Sequence, residues 1–437
     1  MLQVIGIVIF VTLIAVSIAL HELGHLIPAK RFGVRVTDYM IGFGPTVWSK
    51  VRGETRYGVK ALPLGGYIKM IGMLPPARPG SPPGSGRLAT MVEDARRHAQ
   101  ADVGPQDQGR LFYQLPVRKR MVIMLGGPVM NLLLAFVLFA IVLVGIGSPQ
   151  PTVVLDSVVP CTPTATVPTG AALPSGQCPT GSTASPAATA GLQPGDRIIA
   201  VDGVTVRAWT DVTDALVSRG GQAVTLTVQA GEQGPSREVG MVVATIDRPV
   251  LDAQGAPTGQ TRPGGFIGVR PAFAYVPQPW TSVPETMWEI TTASVVAVVS
   301  LPVRLYELVS QTLIGGGERA IDGPVSVVGA SRIGGDIAAR DQPFEAKVAA
   351  FLGLLASLNL FLFLFNLLPI LPLDGGHVAG AAYEAIRRRF AELRGRPDPG
   401  PVDVARLLPV AYVVAGVLIA MGVIVIWADL VKPISLG

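Results

Sequence analysis

The sequence predicts a polytopic α-helical membrane protein. It has four transmembrane helices, an inserted extracytoplasmic β-rich domain and a cytoplasmic membrane-associated β-hairpin. Three observations carry this. Four apolar runs each reach the ~20 residues that a helix needs to cross a bilayer. Of the 437 residues, 49% are hydrophobic and only 15% charged, where soluble domains carry about 25% charged residues. The basic residues gather in two of the segments between the runs, as membrane topology requires.

The first run, Val4–Leu20, continues through two histidines to Ile27. It does not read as a signal peptide, because no Lys or Arg precedes it and no A-x-A site follows. Lys30, Arg31 and Arg35 come directly after it. The other runs are Met121–Gly147, Val348–Leu373 and Leu407–Trp427. A shorter apolar patch, Ala293–Leu301, stops at Pro302 and reads as an interfacial or core helix rather than a span.

Residues 30–120 hold 16 of the 35 Lys and Arg, and residues 387–406 hold 6. The longer region 148–347 holds only 12. Four spans then place both basic loops inside and both termini outside. The predicted order is a transmembrane helix at 1–30, a hairpin region at 31–73, a cytoplasmic linker at 74–117 and a second transmembrane helix at 118–147. The extracytoplasmic domain follows at 148–280, then interfacial helices or a connector at 281–346. A third transmembrane helix at 347–378, a cytoplasmic loop at 379–406 and a fourth transmembrane helix at 407–431 complete the chain. The net charge of +5 thus belongs to membrane orientation and calls for no nucleic acid.

Within the hairpin region, Gly42-Phe43-Gly44-Pro45 reads as a turn and Tyr57–Met70 as strand–turn–strand. Residues 74–110 are rich in Pro, Gly, Ser and Arg and read as a flexible linker, where His98 beside Arg96 and Arg97 is solvated. Residues 150–190 hold Cys161 and Cys178. Two cysteines are too few for a cysteine-built zinc or iron–sulfur site. Outside the cell they can pair, closing a loop of about 17 residues for roughly 3 kcal/mol; two free thiols are the alternative.

Residues 190–245 read as a compact β-rich unit, with Val201-Asp202-Gly203 as a hairpin signal, a helix over Trp209–Arg219 and a strand at Val224–Val228. The stretch from Gly191-Leu192 through Gly195-Asp196 to Val201-Asp202-Gly203 resembles a PDZ domain of the bacterial type. Such domains take an extended peptide or a chain end onto a strand edge; a size-excluding plug without a ligand is the other reading.

The chemistry begins at His21-Glu22-Leu23-Gly24-His25, an H-E-x-x-H sequence. On a helix, residues four apart share a face, so both imidazoles reach one metal ion. Glu22 stands beside them, placed to take a proton from water. Ionisable groups inside an apolar span are costly and functional by default. A catalytic zinc needs three protein ligands and an open position, so one more must come from elsewhere.

Asn366-Leu-Leu-Pro369-Ile-Leu-Pro372-Leu-Asp374-Gly-Gly-His377 ends the third run, and Asp374 is its only carboxylate. His25 lies five residues from the Lys30 edge, roughly 7 Å of helix, and Asn366 some 18 residues, about 27 Å, inward from Val348. Both motifs therefore lie toward the cytoplasmic side. His377 is the rival third ligand; a role behind the ligands or at a helix start is its alternative. Pro369 and Pro372 break the helix, and irregular backbone at membrane depth needs a protein or water-lined cavity around it. Gly126-Gly127-Pro128-Val129-Met130-Asn131 opens the second span. Its glycines permit close helix packing, and Asn131 is either structural glue or a substrate contact.

Together HELGH, GGPVMN, the PDZ-like unit and NLLPILPLDGGH, in that order, resemble the site-2 protease family. The arrangement is similar to the bacterial regulator-of-sigma-E protease group with one PDZ domain. GFGPTVWS and Ser326–Asp336 resemble its actinobacterial branch. The resemblance implies an intramembrane zinc protease with one zinc per chain, held by His21, His25 and Asp374, with Glu22 as general base. It implies that Asn366 and Asn131 contact substrate backbone, and that residues 57–70, Gly66 among them, form a membrane-associated hairpin that pairs with an unwound substrate. Pro372 sits one place later than in many relatives. The implied substrates are single-span membrane proteins already trimmed outside, often anti-sigma factors, in regulated intramembrane proteolysis.

Three other readings compete. An inactive PDZ scaffold has no need of Glu22. A zinc transporter needs ionisable groups along several spans, and one cluster is visible. A soluble-type metalloprotease anchored by one helix would not carry its motif inside that helix.

Overall fold

The structure, a computed structural model, describes residues 1–76, 87–163, 178–179, 181–231, 233–251, 257–313 and 323–432. It begins with helix α1 (Leu2–Arg31), strands β1 (Val36–Arg52) and β2 (Thr55–Met70), and helices α2 (Arg87–Ala101) and α3 (Val117–Ala140), the last prolonged by a π turn at Ile141–Ile146. Next come β3 (Ser148–Val158), α4 (Pro186–Thr189), β4 (Asp196–Val201), β5 (Val204–Thr205), α5 (Trp209–Val217), β6 (Ala223–Ala230), β7 (Ser236–Val242), β8 (Ala244–Leu251), β9 (Pro257–Phe266) and β10 (Val269–Val276). The chain ends with helices α6 (Ser282–Leu313), α7 (Val327–Ala339), α8 (Phe344–Asn366), α9 (Asp374–Leu393) and α10 (Leu408–Val431). Two compact units result, Met1–Ile146 with Pro279–Gly437, and Gly147–Gln278.

In the first unit, α1 and α8 run side by side in the same direction. Phe10 meets Phe351 with ring centroids 5.9 Å apart. Ser17 donates to Asn359 Oδ1 at 2.5 Å. At the far end the motif histidines meet Asp374. α3 packs on α1 through glycine: a Cβ built on Gly24 would strike the backbone of Gly126, and one on Gly126 the backbone of Gly24. α7 closes the opposite end. Its Asp336 accepts from Gln3 at 2.8 Å, and Ser326, its N-cap, donates from its backbone N–H to Asp429 of α10 at 2.8 Å.

Among the described residues, five helices are long and apolar enough to cross a bilayer: α1, α3, α6, α8 and α10. The sequence reading has four, and α6 is the addition. Its apolar patch does not stop at Pro302; the helix runs through it. Glu285, Glu289, Arg304 and Glu307 interrupt the apolar run and hide the helix from a hydropathy reading. Val283 at its start packs on Phe139 of α3 and Ala356 of α8, while Leu308 packs on Val425 and Ala428 of α10. The latter contact lies at the α7 end, away from the histidines.

Three more expectations need correction. The run read as a third helix over 347–378 ends at Asn366, and a bend at 367–373 leads into α9, which occupies much of the expected 379–406 loop. Helix-breaking prolines explain the bend. Of the expected linker, residues 87–101 form α2, with Arg96 buried against Asp403 at 2.6 Å; residues 77–86 lie outside the described residues. Polar flanks mask the short stripe of Met91, Val92, Ala95 and Ala99 that α2 turns inward.

The hairpin region forms a folded-over sheet. Its tight turn is at Gly53-Glu54, not in the 57–70 stretch, where Gly65 (φ +119°) makes a bend inside β2. The start of β1 is flanked on both sides by β2: Tyr39 lies opposite Ile68 and also opposite Tyr57. Tyr39 donates to the Ala19 carbonyl of α1 at 2.6 Å, which ties the sheet to the metal-motif helix.

The second unit holds, among the described residues, a sheet in the order β10-β3-β4-β6-β7 with β5 on β4, and a β8–β9 ribbon. Leu155, Ile198, Leu226 and Val228 fill its core with Val212 and Leu216 of α5. The expected turn is present: Asp202 and Gly203 both have positive φ (46° and 78°), as a two-residue hairpin loop demands. Cys161 and Cys178 are joined as a disulfide.

Candidate active site

α1 stays helical through the motif, so His21 and His25 sit on one face as spacing dictates. Asp374 is the first residue of α9 and meets them from the other side of the bend. Its Oδ2 lies 3.4 Å from His21 Nε2 and 3.3 Å from His25 Nε2, and the two Nε2 atoms are 3.3 Å apart. All three are atoms that bind a metal ion, and they converge on one point. A tetrahedral zinc with bonds of about 2.0–2.1 Å has donor–donor edges of about 3.3 Å. The donor set therefore fits zinc in chemistry and in spacing. The side chains are 14%, 6% and 21% exposed for His21, His25 and Asp374, so Asp374 is the most accessible of the three.

The ligand face of His25 is fixed from behind. Its Nδ1–H donates to the Ile123 carbonyl of α3 at 2.8 Å, which leaves Nε2 as the bare nitrogen. Nδ1 of His21 is buried and has no partner among the described residues. α3 also shapes the floor. A Cβ on Gly127 would overlap the His25 ring and come within 2.7 Å of His21 Cε1. The bend is equally tight, since a Cβ on Gly376 would lie 2.6 Å from the Leu371 nitrogen.

Glu22 is 8% exposed and stands beside the cluster on α1. Gly66 of β2 faces it, with a built Cβ only 2.8 Å from Glu22 Cγ. Asn366 ends α8 directly before the bend. Asn131 is 1% exposed, and its Oδ1 has no hydrogen-bond partner among the described residues. His377 does not join the three donors; it lines a small cavity with Arg120 and Glu384. His98 is exposed on α2, bonded through Nδ1 to the Asp94 carbonyl.

Sequence reasoning missed the carbonyl of Ile123, the contact of Gly127 with both rings and the Ser17–Asn359 bond. Only the paired glycines gave any signal, as a place where helices approach closely.

A profile of peptidase family M50 matches residues 9–397. The chain is 34% identical to the zinc metalloprotease Rip1 of Mycobacterium tuberculosis over 451 aligned positions, covering 100% of both chains. It is 34% identical to Rip1 of Mycolicibacterium smegmatis, over 99% of this chain and 98% of that one. Metalloprotease MmpA of Caulobacter vibrioides is 26% identical, over 86% of this chain and 85% of its own. With the profile covering most of the sequence and full-length relatives above the level at which families are shared, this multi-helix membrane protein belongs to peptidase family M50, the site-2 proteases.

Proposed function

We propose that the protein is an intramembrane zinc metalloendopeptidase that hydrolyses a peptide bond within or beside the transmembrane segment of single-span membrane proteins. The observation that carries this is the triangle of His21 Nε2, His25 Nε2 and Asp374 Oδ2, with edges of 3.3–3.4 Å, beside a buried Glu22. His21, His25 and Asp374 hold one zinc per chain. Bound there, zinc supplies Lewis acidity toward water and the scissile carbonyl.

The chain's own groups do the rest. Glu22 takes the proton from the attacking water and delivers it to the leaving amine. Its low exposure keeps bulk water from competing for that proton. A transmembrane substrate has satisfied its own backbone bonds, so it must unwind first. The β2 strand around Gly66 offers the unwound segment a pairing edge beside Glu22. Asn366 and the unpartnered Oδ1 of Asn131 take up backbone groups that the substrate helix releases.

Four membrane crossings agree with α1 and α8 running the same way and with α6 docking at the α7 end. This topology puts both termini and the second unit outside and the site toward the cytoplasm, where α3 and α9 carry their arginines. The Cys161–Cys178 disulfide suits an extracytoplasmic second unit. That unit acts as a PDZ-like domain that takes a peptide or chain end and bars untrimmed substrates. The substrates are trimmed single-span proteins of the anti-sigma-factor type.

Zinc content and cleavage of a single-span substrate, compared for wild type, Glu22→Gln and Asp374→Ala, test the reading. Wild type should hold one zinc and cut. Glu22→Gln should keep zinc and stop cutting, and Asp374→Ala should lose zinc. Cleavage by Glu22→Gln would remove the proposed base, and a zinc-free, inactive wild type would favour a binding scaffold.

A further inference from the structure

A cavity of about 640 Å³ opens between the Pro369–Leu371 bend, the first turns of α9 and the start of α10. Ligand sites typically enclose ~300–1,000 Å³. Its lining divides by chemistry. Ile370, Leu371, Tyr383 and Val410 form an apolar wall, and Arg387 and Arg406 stand at the other end. α10 carries no charged residue from Leu408 to Trp427, and Arg406 precedes it by two residues. The cavity therefore straddles the point where the chain passes from charged to apolar, the level at which headgroups give way to hydrocarbon.

The charge balance at the polar end is positive. Asp403 is held by Arg96 at 2.5 Å and by Arg406 at 3.1 Å. Arg387 donates to the carbonyls of Pro399 and Gly400 and keeps its charge there. Within the lining, one carboxylate thus faces two guanidinium groups, and Asp403 is also paired from outside it by Arg96. Arg406 is 73% exposed and so accessible to an anion.

We propose that this cavity is a binding site for an anionic phospholipid. One acyl chain lies along Ile370, Leu371, Tyr383 and Val410, and the headgroup phosphate meets Arg406 and Arg387. The lining includes none of His21, Glu22, His25 and Gly66, so a scissile peptide is not what it is shaped to hold. Leu371 and Gly376, which do line it, bracket Asp374. An occupant therefore braces the bend that presents Asp374 and links lipid composition to activity.

The test uses the full chain reconstituted in phosphatidylcholine vesicles with and without phosphatidylglycerol. Co-purifying lipid is counted by native mass spectrometry. Wild type and Glu22→Gln should each retain one phosphatidylglycerol, so this readout stands whether or not the protease reading does. Arg406→Gln should weaken retention about fivefold, the worth of one basic residue near an anionic surface, and Ala379→Trp, which fills the cavity, should abolish it. Cleavage by wild type should rise with phosphatidylglycerol, and both variants should lose that dependence while matching wild type in phosphatidylcholine alone. Retention that is equal for both lipids, or unchanged in both variants, would overturn the proposal. So would Ala379→Trp raising KM in pure phosphatidylcholine with retention intact, because the cavity would then belong to substrate.

Discussion

Gly127 of α3 lies against the imidazole of His25 so closely that the smallest side chain there would occupy the place of the ring. The glycine therefore sets how near α3 can come to the histidines, and with it the bond from His25 to the Ile123 carbonyl. Gly127→Ala should displace both imidazoles and lower zinc affinity and cleavage about 10–100-fold, the range for groups that orient metal ligands. Gly145 in the same span has nothing within 4 Å of a built Cβ, so Gly145→Ala should leave both unchanged. Metal analysis after dialysis against a chelator, with a cleavage assay, reads both variants. Equal zinc retention would show that the contact does not matter.

Gly66 makes the complementary case. Its built Cβ would press on Glu22 Cγ and Ile18, not on a histidine. Gly66→Ala should therefore keep zinc but disturb the base and the strand edge together. Cleavage should fall about 10–100-fold, part of the ~10²–10⁴ that a positioned general base contributes. Loss of zinc from this variant would mean that the sheet supports the metal site rather than the base.

These two glycines mark the limit of what the sequence revealed. HELGH was legible because its chemistry depends on one helix, where i and i+4 must share a face. Asp374 was legible because the segment from Asn366 to His377 offers one carboxylate and a catalytic zinc needs a third protein ligand beside the two histidines. The contacts of Gly127 and Gly66 depend on how closely separate elements approach, and no local pattern encodes that distance. The same holds for Ser17 and Asn359, 342 residues apart and joined across two helices. α6 escaped because its charged residues break the apolar run, and α2 because its short stripe lies between Pro- and Gly-rich stretches.

Tyr39 gives a pH signature for the sheet. Burial pushes its phenol up to about 12 from 10.0, with the charge of Glu22 and the neighbouring Tyr57 adding to the effect. The folded state thus holds this proton more tightly than the unfolded chain does. The resulting stability is fully present below about pH 10, the unfolded value, and is lost as pH rises toward the folded one. An ultraviolet phenolate titration should show one late component near the upper value, absent in Tyr39→Phe. That variant also loses the bond to Ala19 and should cost about 1 kcal/mol at neutral pH. An unchanged titration curve would show that Tyr39 is not the late group.

Arg120 and Glu384 couple α3 to the helix that presents Asp374. Glu384 is fully buried, accepts from Arg120 and, at 2.9 Å, from the Val402 nitrogen, and has Arg388 3.0 Å away. It lies ten residues, about 15 Å of helix, beyond Asp374. Removing Glu384 leaves Arg120, 8% exposed, without its carboxylate, and removing Arg120 leaves Glu384 with Arg388 alone; breaking a buried pair costs up to about 3–5 kcal/mol. Arg120→Met should therefore lower thermal stability sharply and weaken zinc retention, because α9 loses its register on α3. Glu384→Leu should do the same, although Arg388, 38% exposed, can turn outward. The double variant should lose less than the two single losses combined, by about 0.5–3 kcal/mol, and should recover zinc. Unfolding in detergent with zinc analysis of all four proteins decides it: strictly additive losses would mean that the two residues act separately and that the register of α9 is set elsewhere.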